Sequence, residues 1–522
     1  MLFRSSKTGS QTMNRTPIAV GIDLGTTYSV IARLDNLGRP VTLVNAEGDK
    51  ITPSVVFFDG ANIVVGKEAA KALATDAPAV ADCAKRDMGQ RFYHKLLGGR
   101  QFPPEAIQAL ILDKLRRDAA RMVGSVDQVV VTVPAYFDEV RRKATQDAGF
   151  MAGLKVLDII NEPTAAAIAF GFQEGFFDPQ GAGSAKRNVL VYDLGGGTFD
   201  VTVMQIEGTH FRALATDGDV RLGGQDWDQR LVDYVAEEFI RTIGIDPRED
   251  PNTDGRLRRE CEDAKRTLST RLKTTIVCDY KGQSVKLEIT RQKFQEMTQD
   301  LLDRTAFTTR QTLQAAGLTW QDVDRVLLTG GSTRMPAVSE MLRELSGKPP
   351  DTSVSPDEAV SHGAALLAGM LLSKQGGKRP TFEIKNVNSH SLGLVGVDPK
   401  TDRRRNVVMI PRNTVLPAAH KKVFRTQKPK QSSILMQIVE GESMSPDDCS
   451  QIGKCTVYPL PKNLPARTPI DVTFRYEENG RLAVMVSVAG KSLKHELVRD
   501  NTLTQEQLDS WRTFITSRPD AP

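Results

Sequence analysis

The chain is poor in the features that mark secreted, membrane-spanning and metal-binding proteins. It has only five cysteines in 522 residues, and none of them form a CxxC pair. An odd, scattered set argues against a disulfide framework and a zinc site, and fits a reducing compartment. No apolar run approaches the roughly 18 residues that a membrane span needs. No GxxxxGK[ST] motif occurs. These absences predict a soluble cytoplasmic protein, without membrane insertion and without a P-loop nucleotide site.

Charge is unevenly distributed along a chain of otherwise ordinary composition. The hydrophobic share is 40%, the charged share 25% and the net charge +5. From Thr381 to the end there are 21 Lys and Arg against 15 Asp and Glu, so the basic excess lies there. Residues 403–430 carry nine cations, opposed only by neighbouring Asp402. Such a stretch attracts acidic peptides, phosphates or lipid headgroups, or is simply a solvated loop face.

Two kinds of secondary-structure pattern divide the chain. Up to about residue 378, β-branched runs such as 127–134 and 188–195 alternate with amphipathic patterns such as 104–122. Strands alternating with helices predict an α/β architecture. Beyond a Gly- and Lys-rich stretch, short alternating segments separated by Pro, Gly and Asn predict an antiparallel β domain. A short helix is predicted at 503–516.

One repeated sequence motif predicts a nucleotide site. GIDLGTTYSVIARL, from Gly21, and VYDLGGGTFDVTVM, from Val191, each read as a strand, Asp-Leu-Gly, a turn of small residues and a returning strand. The repeat predicts a duplicated domain whose two hairpins face each other across a cleft. Asp23 and Asp193 then project past the strand ends, where open α/β sheets bind ligands. Small turns offer backbone N–H groups to phosphate, and facing carboxylates need a bridging cation. The predicted ligand is Mg-nucleotide.

Two further segments are less specific on their own. The glycine turn LLTGGSTRMP (327–336) follows a buried strand and precedes a helix, which is a phosphate-friendly arrangement. Arg334 within it is suited to stacking on a base. In the helix 256–269, Glu262, Lys265 and Ser269 share one face, although an ordinary salt-bridged surface has the same pattern.

Taken together, the motifs resemble the 70-kDa heat-shock (DnaK-type) chaperones, as a divergent member with a truncated lid. GIDLGTTYS, VVVTVPAYF, IINEPTAAAIAFG, VYDLGGGTFDVTV, LGGQDWD, ECEDAKRTLS, LLTGGSTRMP and SPDEAVSHGAA follow the family's order across roughly residues 17–370. The resemblance implies an actin-like two-lobed ATPase domain with duplicated, ribonuclease H-like halves, then an antiparallel β-sandwich and a short C-terminal helix. The implied divisions are a flexible extension 1–15, the ATPase domain 16–374, a linker 375–388, a peptide-binding domain 389–500 and a lid remnant 501–522.

The resemblance also implies a role for each matching residue. Lys85 would orient the attacking water, Glu162 would lie beside the Mg²⁺ and the water network, and Thr198 would belong to the second phosphate loop. Asp193 and Asp200 would lie near the Mg²⁺ and the attacking water, and Asp23 and Asp193 would hold the Mg²⁺ through water. The cofactors are ATP or ADP with Mg²⁺, and K⁺ is a further candidate ion. Arginines 266 and 334 would sandwich the adenine. The implied nucleotide-binding residues are Gly25, Thr26, Thr27, Tyr28, Gly195, Gly196, Gly197, Asp200, Glu262, Lys265, Arg266, Ser269, Gly330, Gly331, Ser332, Arg334 and Asp357.

Outside the nucleotide site the resemblance is looser. Pro134 matches the family's interdomain relay, and Phe424, Ile434 and Met436 match its peptide groove. Unfolded or extended polypeptides are therefore the implied partners, with no nucleic acid and no membrane. The linker is polar, and Asp158 stands where bacterial-type members carry an arginine that contacts J-domain co-chaperones. Conventional use of a J-domain protein and an exchange factor is therefore in doubt. The loop TDRRRN (401–406) supports the hypothesis that acidic or mixed segments are preferred.

Two other function classes remain as alternatives. A small-molecule kinase of the same superfamily would need a general base and a substrate pocket, and the β domain stands in place of such a pocket. A scaffold that binds ATP but hardly hydrolyses it would not need the set Lys85, Glu162, Asp193 and Thr198. The ATP-hydrolysing chaperone ranks first.

Overall fold

The structure is a computed structural model of the chain. It describes residues 18–60, 62–177, 186–398, 400–477, 482–488, 491–495 (backbone only) and 503–518. Within these ranges, no helix combines the length and the apolar character that crossing a membrane requires.

The first lobe is built on a sheet of mixed direction with the strand order β3-β2-β1-β8-β9, and β4 pairs beside β2. Its strands and helices are β1 (Ala19–Asp23), β2 (Tyr28–Leu34), β3 (Pro40–Leu43), β4 (Thr52–Pro53), β5 (Val56–Asp59), β6 (Asn62–Val65), α1 (Lys67–Ala72), β7 (Val80–Ala81), α2 (Pro104–Val123), β8 (Gln128–Val133), α3 (Glu139–Met151), β9 (Lys155–Asn161) and α4 (Glu162–Gln173). β8 is buried on both faces, which explains its uninterrupted run of β-branched residues.

The second lobe repeats this plan. Its strands and helices are β10 (Arg187–Leu194), β11 (Phe199–Glu207), β12 (His210–Asp219), α5 (Gly224–Ile243), α6 (Pro251–Thr270), β13 (Lys273–Tyr280), β14 (Gln283–Thr290), α7 (Arg291–Ala315), β15 (Arg325–Thr329), α8 (Pro336–Ser346) and α9 (Ala359–Gln375). β10 pairs antiparallel with β11 and parallel with β15, as β1 pairs with β2 and β8. The predicted duplication is confirmed in this matching strand order.

Helices α4 and α9 join the two lobes, because their apolar faces share one core with strands of both sheets. They cross very closely: a Cβ on Gly363 would lie 1.8 Å from the carbonyl oxygen of Ala165. The glycine in the SHGAA segment is therefore required by a helix crossing.

The predicted linker does not hang free. It contains β16 (Glu383–Lys385), which pairs parallel with β12 and extends the sheet of the second lobe. Phe382 is buried against Phe211 and Phe177, with ring centroids 6.1 and 5.3 Å apart. The few apolar residues of this polar stretch are thus the ones that attach it to the ATPase domain.

The β domain is a sandwich of two four-stranded sheets, ordered β18-β17-β20-β21 and β19-β22-β23-β24, around one core. Its elements are β17 (Leu392–Val397), β18 (Arg404–Ile410), β19 (Ala418–Arg425), β20 (Ile434–Glu440), β21 (Ser450–Val457), β22 (Pro469–Tyr476), β23 (Leu482–Val488) and β24 (Lys491–His495), followed by α10 (Gln505–Thr516). The predicted antiparallel β domain and terminal helix are both confirmed.

Helix α10 packs on the ATPase domain, against α2 and α3. Leu508 and Ile515 are buried in the core of the first lobe. Trp511 lies 5.6 Å from Phe102, ring centroid to centroid. The segment predicted as a lid remnant is therefore part of the surface of the first lobe in this structure.

Candidate nucleotide site

The site forms where the turns of the two hairpins touch. A Cβ on Gly196 would lie 1.9 Å from Thr27 Oγ1, and one on Gly197 would lie 2.4 Å from Thr26 Cγ2. Glycine is needed at both positions because a side chain would push the lobes apart. The turns therefore face each other, as the repeated sequence predicts.

Carboxylates gather beneath these turns. Glu162 begins α4, and Asp193 lies near the end of β10. Both are 6% exposed. Asp23 ends β1 and accepts a hydrogen bond from Thr132 Oγ1 at 3.1 Å. One cation, the buried Lys85, donates from Nζ to Glu162 Oε1 at 2.6 Å. These three carboxylates, together with the buried Asp200, interact with a single ammonium group.

This excess of negative charge suits a bound cation. Burial, with the neighbouring Glu162 charge, raises the pKa of Asp23 to about 7. The same causes raise the pKa of Asp193 well above its usual range. A divalent cation would relieve this repulsion, and oxygen donors are the ligands that Mg²⁺ prefers. In the described ranges no three such side chains form a cluster that holds a metal directly, and the predicted contact is through water.

The turns also suit phosphate. The Thr27 hydroxyl is buried and has no hydrogen-bond partner within the described residues. Gly195, Gly196 and Gly330 line the same cavity and present backbone without side-chain bulk. An unsatisfied hydroxyl beside open backbone is a donor set for an anion. The residues present therefore fit a magnesium–phosphate group.

The opposite wall is formed by α6. Lys265 Nζ lies 2.7 Å from Asp228 Oδ2 and donates to the Gly224 carbonyl at 3.0 Å. Arg266 lies with its guanidinium carbon 5.1 Å from the Tyr28 ring centroid and donates to the Tyr28 hydroxyl at 2.6 Å. Partners on other elements therefore hold the side chains of Lys265 and Arg266 at the cavity wall.

Arg334 faces this wall from the third glycine turn and pairs with Asp357. Arg266 is held in turn by Glu262, at 2.6 Å. Two guanidinium planes therefore border the cavity, which matches the predicted adenine sandwich. The sandwich itself remains a prediction.

The cavity has a volume of about 570 Å³ and is lined by almost all of the predicted nucleotide and catalytic residues. Gly197 and Asp200 are not among its lining residues. Gly197 lies against Thr26 of the facing turn, and its carbonyl accepts a hydrogen bond from Arg86 Nε at 3.0 Å. Asp200 is 1% exposed and accepts a hydrogen bond from the Tyr136 N–H at 2.8 Å. A wider cleft of about 1420 Å³ opens beside the cavity.

Some residues at the site were not predicted. Asp228 holds Lys265, Thr132 holds Asp23, and Arg86 ties the second hairpin to Asp226 at 2.5 Å. Asp228 is the last residue of the LGGQDWD motif, so the sequence contained a signal for this position. Each of the three acts by positioning another residue, and such roles depend on tertiary contacts.

The turn that begins at Pro134 connects the site to the β domain. Within it, Tyr136 donates its N–H to Asp200, and its carbonyl lies 3.1 Å from His390 Nε2. Helix α3 follows this turn, and the N–H of Glu139 donates to Glu440 Oε2 at 3.2 Å. One short segment therefore contacts both the nucleotide side and the β domain.

The predicted peptide residues differ in burial. Phe424 and Ile434 are half-buried at the rim of the β-domain core. Met436 is only 2% exposed, so it supports the rim from inside the core. Their role in peptide binding stays a prediction.

A duplicated two-lobed domain with this cleft, followed by a β-sandwich, defines a chaperone-type ATPase architecture. The family model described as "Hsp70 protein" matches residues 19–512. Curated relatives include "Chaperone protein DnaK" from two strains of Thermus thermophilus, 39% and 38% identical over 523 aligned positions. Each alignment covers 94% of this chain and 82% of the relative. The chain therefore belongs to the Hsp70 family and is an ATP-dependent chaperone. Members of this family are ATPases, and neither the kinase nor the scaffold alternative gains support.

Proposed function

We propose that the chain binds and hydrolyses Mg-ATP in the cavity between its lobes and uses the nucleotide state to control peptide binding. The observation that carries the proposal is the buried group of Asp193, Glu162 and Lys85 beneath the touching turns. Buried charges of this density are retained where catalysis or ion binding uses them.

Each residue has a defined task. Lys85, held by Glu162, orients the attacking water and offsets charge on the phosphates. Asp23 and Asp193 would hold the waters of a bound cation, and the hydroxyls of Thr27 and Thr198 would donate to phosphate oxygens. When bound, Mg²⁺ neutralises the phosphate oxygens, and ATP supplies the phosphoryl group that passes to water. Positioning therefore accounts for most of the catalysis.

Coupling runs through the turn after Pro134. Asp200, Tyr136 and His390 form a continuous hydrogen-bonded path from the nucleotide side to the β domain. A change at Asp200 would therefore alter how the β domain docks. Peptide affinity and nucleotide affinity are then linked reciprocally.

The proposed partners are unfolded or extended polypeptides, bound at the rim formed by Phe424 and Ile434. We expect weak dependence on J-domain proteins and exchange factors, because Asp158 on β9 reverses the charge at the matching family position. All five cysteines are free thiols in the structure, which supports a reducing, cytoplasmic location.

Steady-state ATP hydrolysis by the purified chain, with and without saturating unfolded peptide, tests the proposal. We expect slow turnover that peptide accelerates several-fold. Lys85→Ala should lower kcat about 100-fold, while a labelled ATP analogue still binds. The exposed Lys286→Ala is the matched control and should behave as the parent chain. ATP bound without hydrolysis would instead favour the scaffold, and phosphoryl transfer to a small-molecule hydroxyl would favour the kinase.

A further inference from the structure

The end of the β domain beside the candidate peptide rim carries two basic loops. The first, residues 425–433, starts with the last residue of β19 and leads to Ile434 of β20, and the second, residues 458–468, joins β21 to β22. We call them the basic loop pair. Five exposed cations lie in them, and neither loop contains an acidic residue. These cations are Arg425, Lys428, Lys430, Lys462 and Arg467.

Backbone hydrogen bonds join the two loops into one surface. The N–H of Lys430 donates to the Leu464 carbonyl at 2.8 Å, and that of Arg467 donates to the Thr426 carbonyl at 3.0 Å. Arg425 Nη1 also donates to the Arg467 carbonyl at 3.1 Å. The positive charges are therefore held near each other by the fold itself.

Several other cations of the basic stretch already have acidic partners. Lys421 pairs with Asp471 at 2.8 Å, and Arg405 pairs with Asp398 at 3.1 Å. Arg404 lies 3.8 Å from Asp447. The five cations of the basic loop pair, by contrast, have no ion-pair partner within the residues that the structure describes. Within the described residues, the basic loop pair thus brings five cations without ion-pair partners together at one end of the domain.

Apolar surface adjoins this charge. Leu435 is 58% exposed and Tyr458 is 67% exposed. Leu435 pairs across the sheet with Thr456, two residues before Tyr458, so both side chains lie on the outer face. Phe424 and Ile434 border the first loop on either side. A ligand that complements this region combines an apolar centre with negative charge.

We propose that the β domain prefers extended polypeptide segments in which acidic residues flank an apolar core, with the basic loop pair as the specificity determinant. The proposal rests on the proposed function, because it names the substrate class of the same peptide site. Exposed charge pairs contribute little individually, but several acting together set specificity and association rate.

Fluorescence anisotropy of the full chain with labelled peptides tests the proposal. The peptides share one leucine-rich core and carry Glu, Ser or Lys flanks, and a fourth has Glu flanks without the core. We expect the Glu-flanked peptide to bind about fivefold or more tightly than the Lys-flanked one, with the Ser-flanked peptide between them. The difference should shrink as salt is added, since surface charges are screened.

Charge reversal identifies the surface responsible. Lys428→Glu with Lys462→Glu, one change in each loop, should abolish or invert the preference. Lys286→Glu with Arg343→Glu, which places equal charge changes on the ATPase domain, should leave it intact. An unchanged preference in the loop variant would overturn the assignment.

Two further outcomes separate this inference from the function on which it rests. If ATP releases the Ser-flanked peptide but Lys flanks bind at least as well as Glu flanks, only the preference is wrong. If the Ser-flanked peptide neither binds nor is released by ATP, the proposed function fails and the preference fails with it. Equal binding of the coreless acidic peptide would make the surface a general polyanion site and would also overturn the proposal.

Discussion

At the scale of single residues, the fold buries the carboxyl group of Glu105, which is not part of the nucleotide site. It lies in the first turn of α2, where it is 4% exposed, and its Oε2 has no hydrogen-bond partner among the described residues. Burial raises its pKa to about 7. The helix N-terminus favours negative charge, but here the loss of solvation outweighs it.

Glu105 should make stability fall as pH rises. Between the unfolded value of 4.5 and about 7, the folded chain binds more protons than the unfolded chain. Its stability should therefore decrease across this window, and the whole penalty applies above it. Glu105→Gln should raise the free energy of unfolding by about 1–3 kcal/mol near pH 8 and much less near pH 5.

Thermal unfolding of the Glu105→Gln chain at both pH values measures this difference. The exposed Glu237→Gln, on α5, is the control and should show no pH-dependent gain. An equal change in Tm at both pH values would mean that the Glu105 carboxyl is not protonated on folding.

At the scale of elements, the sequence predicted which residues lie at the strand ends, but it did not predict which elements pack against each other. Asp23 and Asp193 were predicted because each follows a β-branched strand in a repeated motif, so local sequence places both. The docking of β16 and α10 on the ATPase domain was not predicted. For α10, the amphipathic pattern predicts that one face is buried but does not indicate which element covers it. For β16, the surrounding stretch is mostly polar and gives no strand pattern.

Asp200 illustrates the same limit within the site. Its family match indicated a place near the cation, and the structure has it within the electrostatic reach of Asp193 and Glu162 but buried, with its carboxylate bound to the backbone of Tyr136. Position along a strand tells which residues come near a site. Whether a side chain faces the cavity or the turn behind it depends on packing between distant segments.

Helix α9 provides a test of how the lobes are joined. Gly363→Ala should strongly destabilise the chain, because the new Cβ would meet backbone of α4, 1.8 Å from the Ala165 oxygen. Gly369→Ala, on the same helix, would meet the side chain of Leu34, with Cδ1 at 2.3 Å and Cγ at 3.3 Å, and a side-chain end can move where backbone cannot. We expect a loss of about 2–4 kcal/mol for the first change and under about 1 kcal/mol for the second.

Chemical denaturation of both variants compares the two sites directly. Alanine favours the helix over glycine at both positions, so helix propensity cannot explain a difference between them. Similar stabilities would show that α4 and α9 separate easily, and that the lobes are not held by this crossing.

At the scale of the whole molecule, the β domain is attached to the ATPase domain along both of its chain ends. Strand β16 precedes it and α10 follows it, and each packs on a different lobe. Arg518, just beyond α10, lies 3.3 Å from the buried Asp113 of α2. A change in the angle between the lobes would therefore be transmitted to the β domain through β16 and through α10, in addition to the turn after Pro134.

The ion pair between Asp217 and Arg412 joins the two domains directly and provides the sharpest test of coupling. The two side chains lie 3.0 Å apart and are 20% and 30% exposed. Asp217→Arg or Arg412→Asp alone sets like charges against each other across the interface. Each should reduce the peptide stimulation of ATP hydrolysis, while basal hydrolysis changes by less than about twofold. The double exchange should restore most of the stimulation because opposite charges again face each other. Restoration should be incomplete, since Arg412 also donates to the Thr216 carbonyl at 3.2 Å, a bond that aspartate cannot make. If the double variant lost as much stimulation as the two single variants combined, the pair would have no part in coupling, and the contact between Tyr136 and His390 would have to carry it.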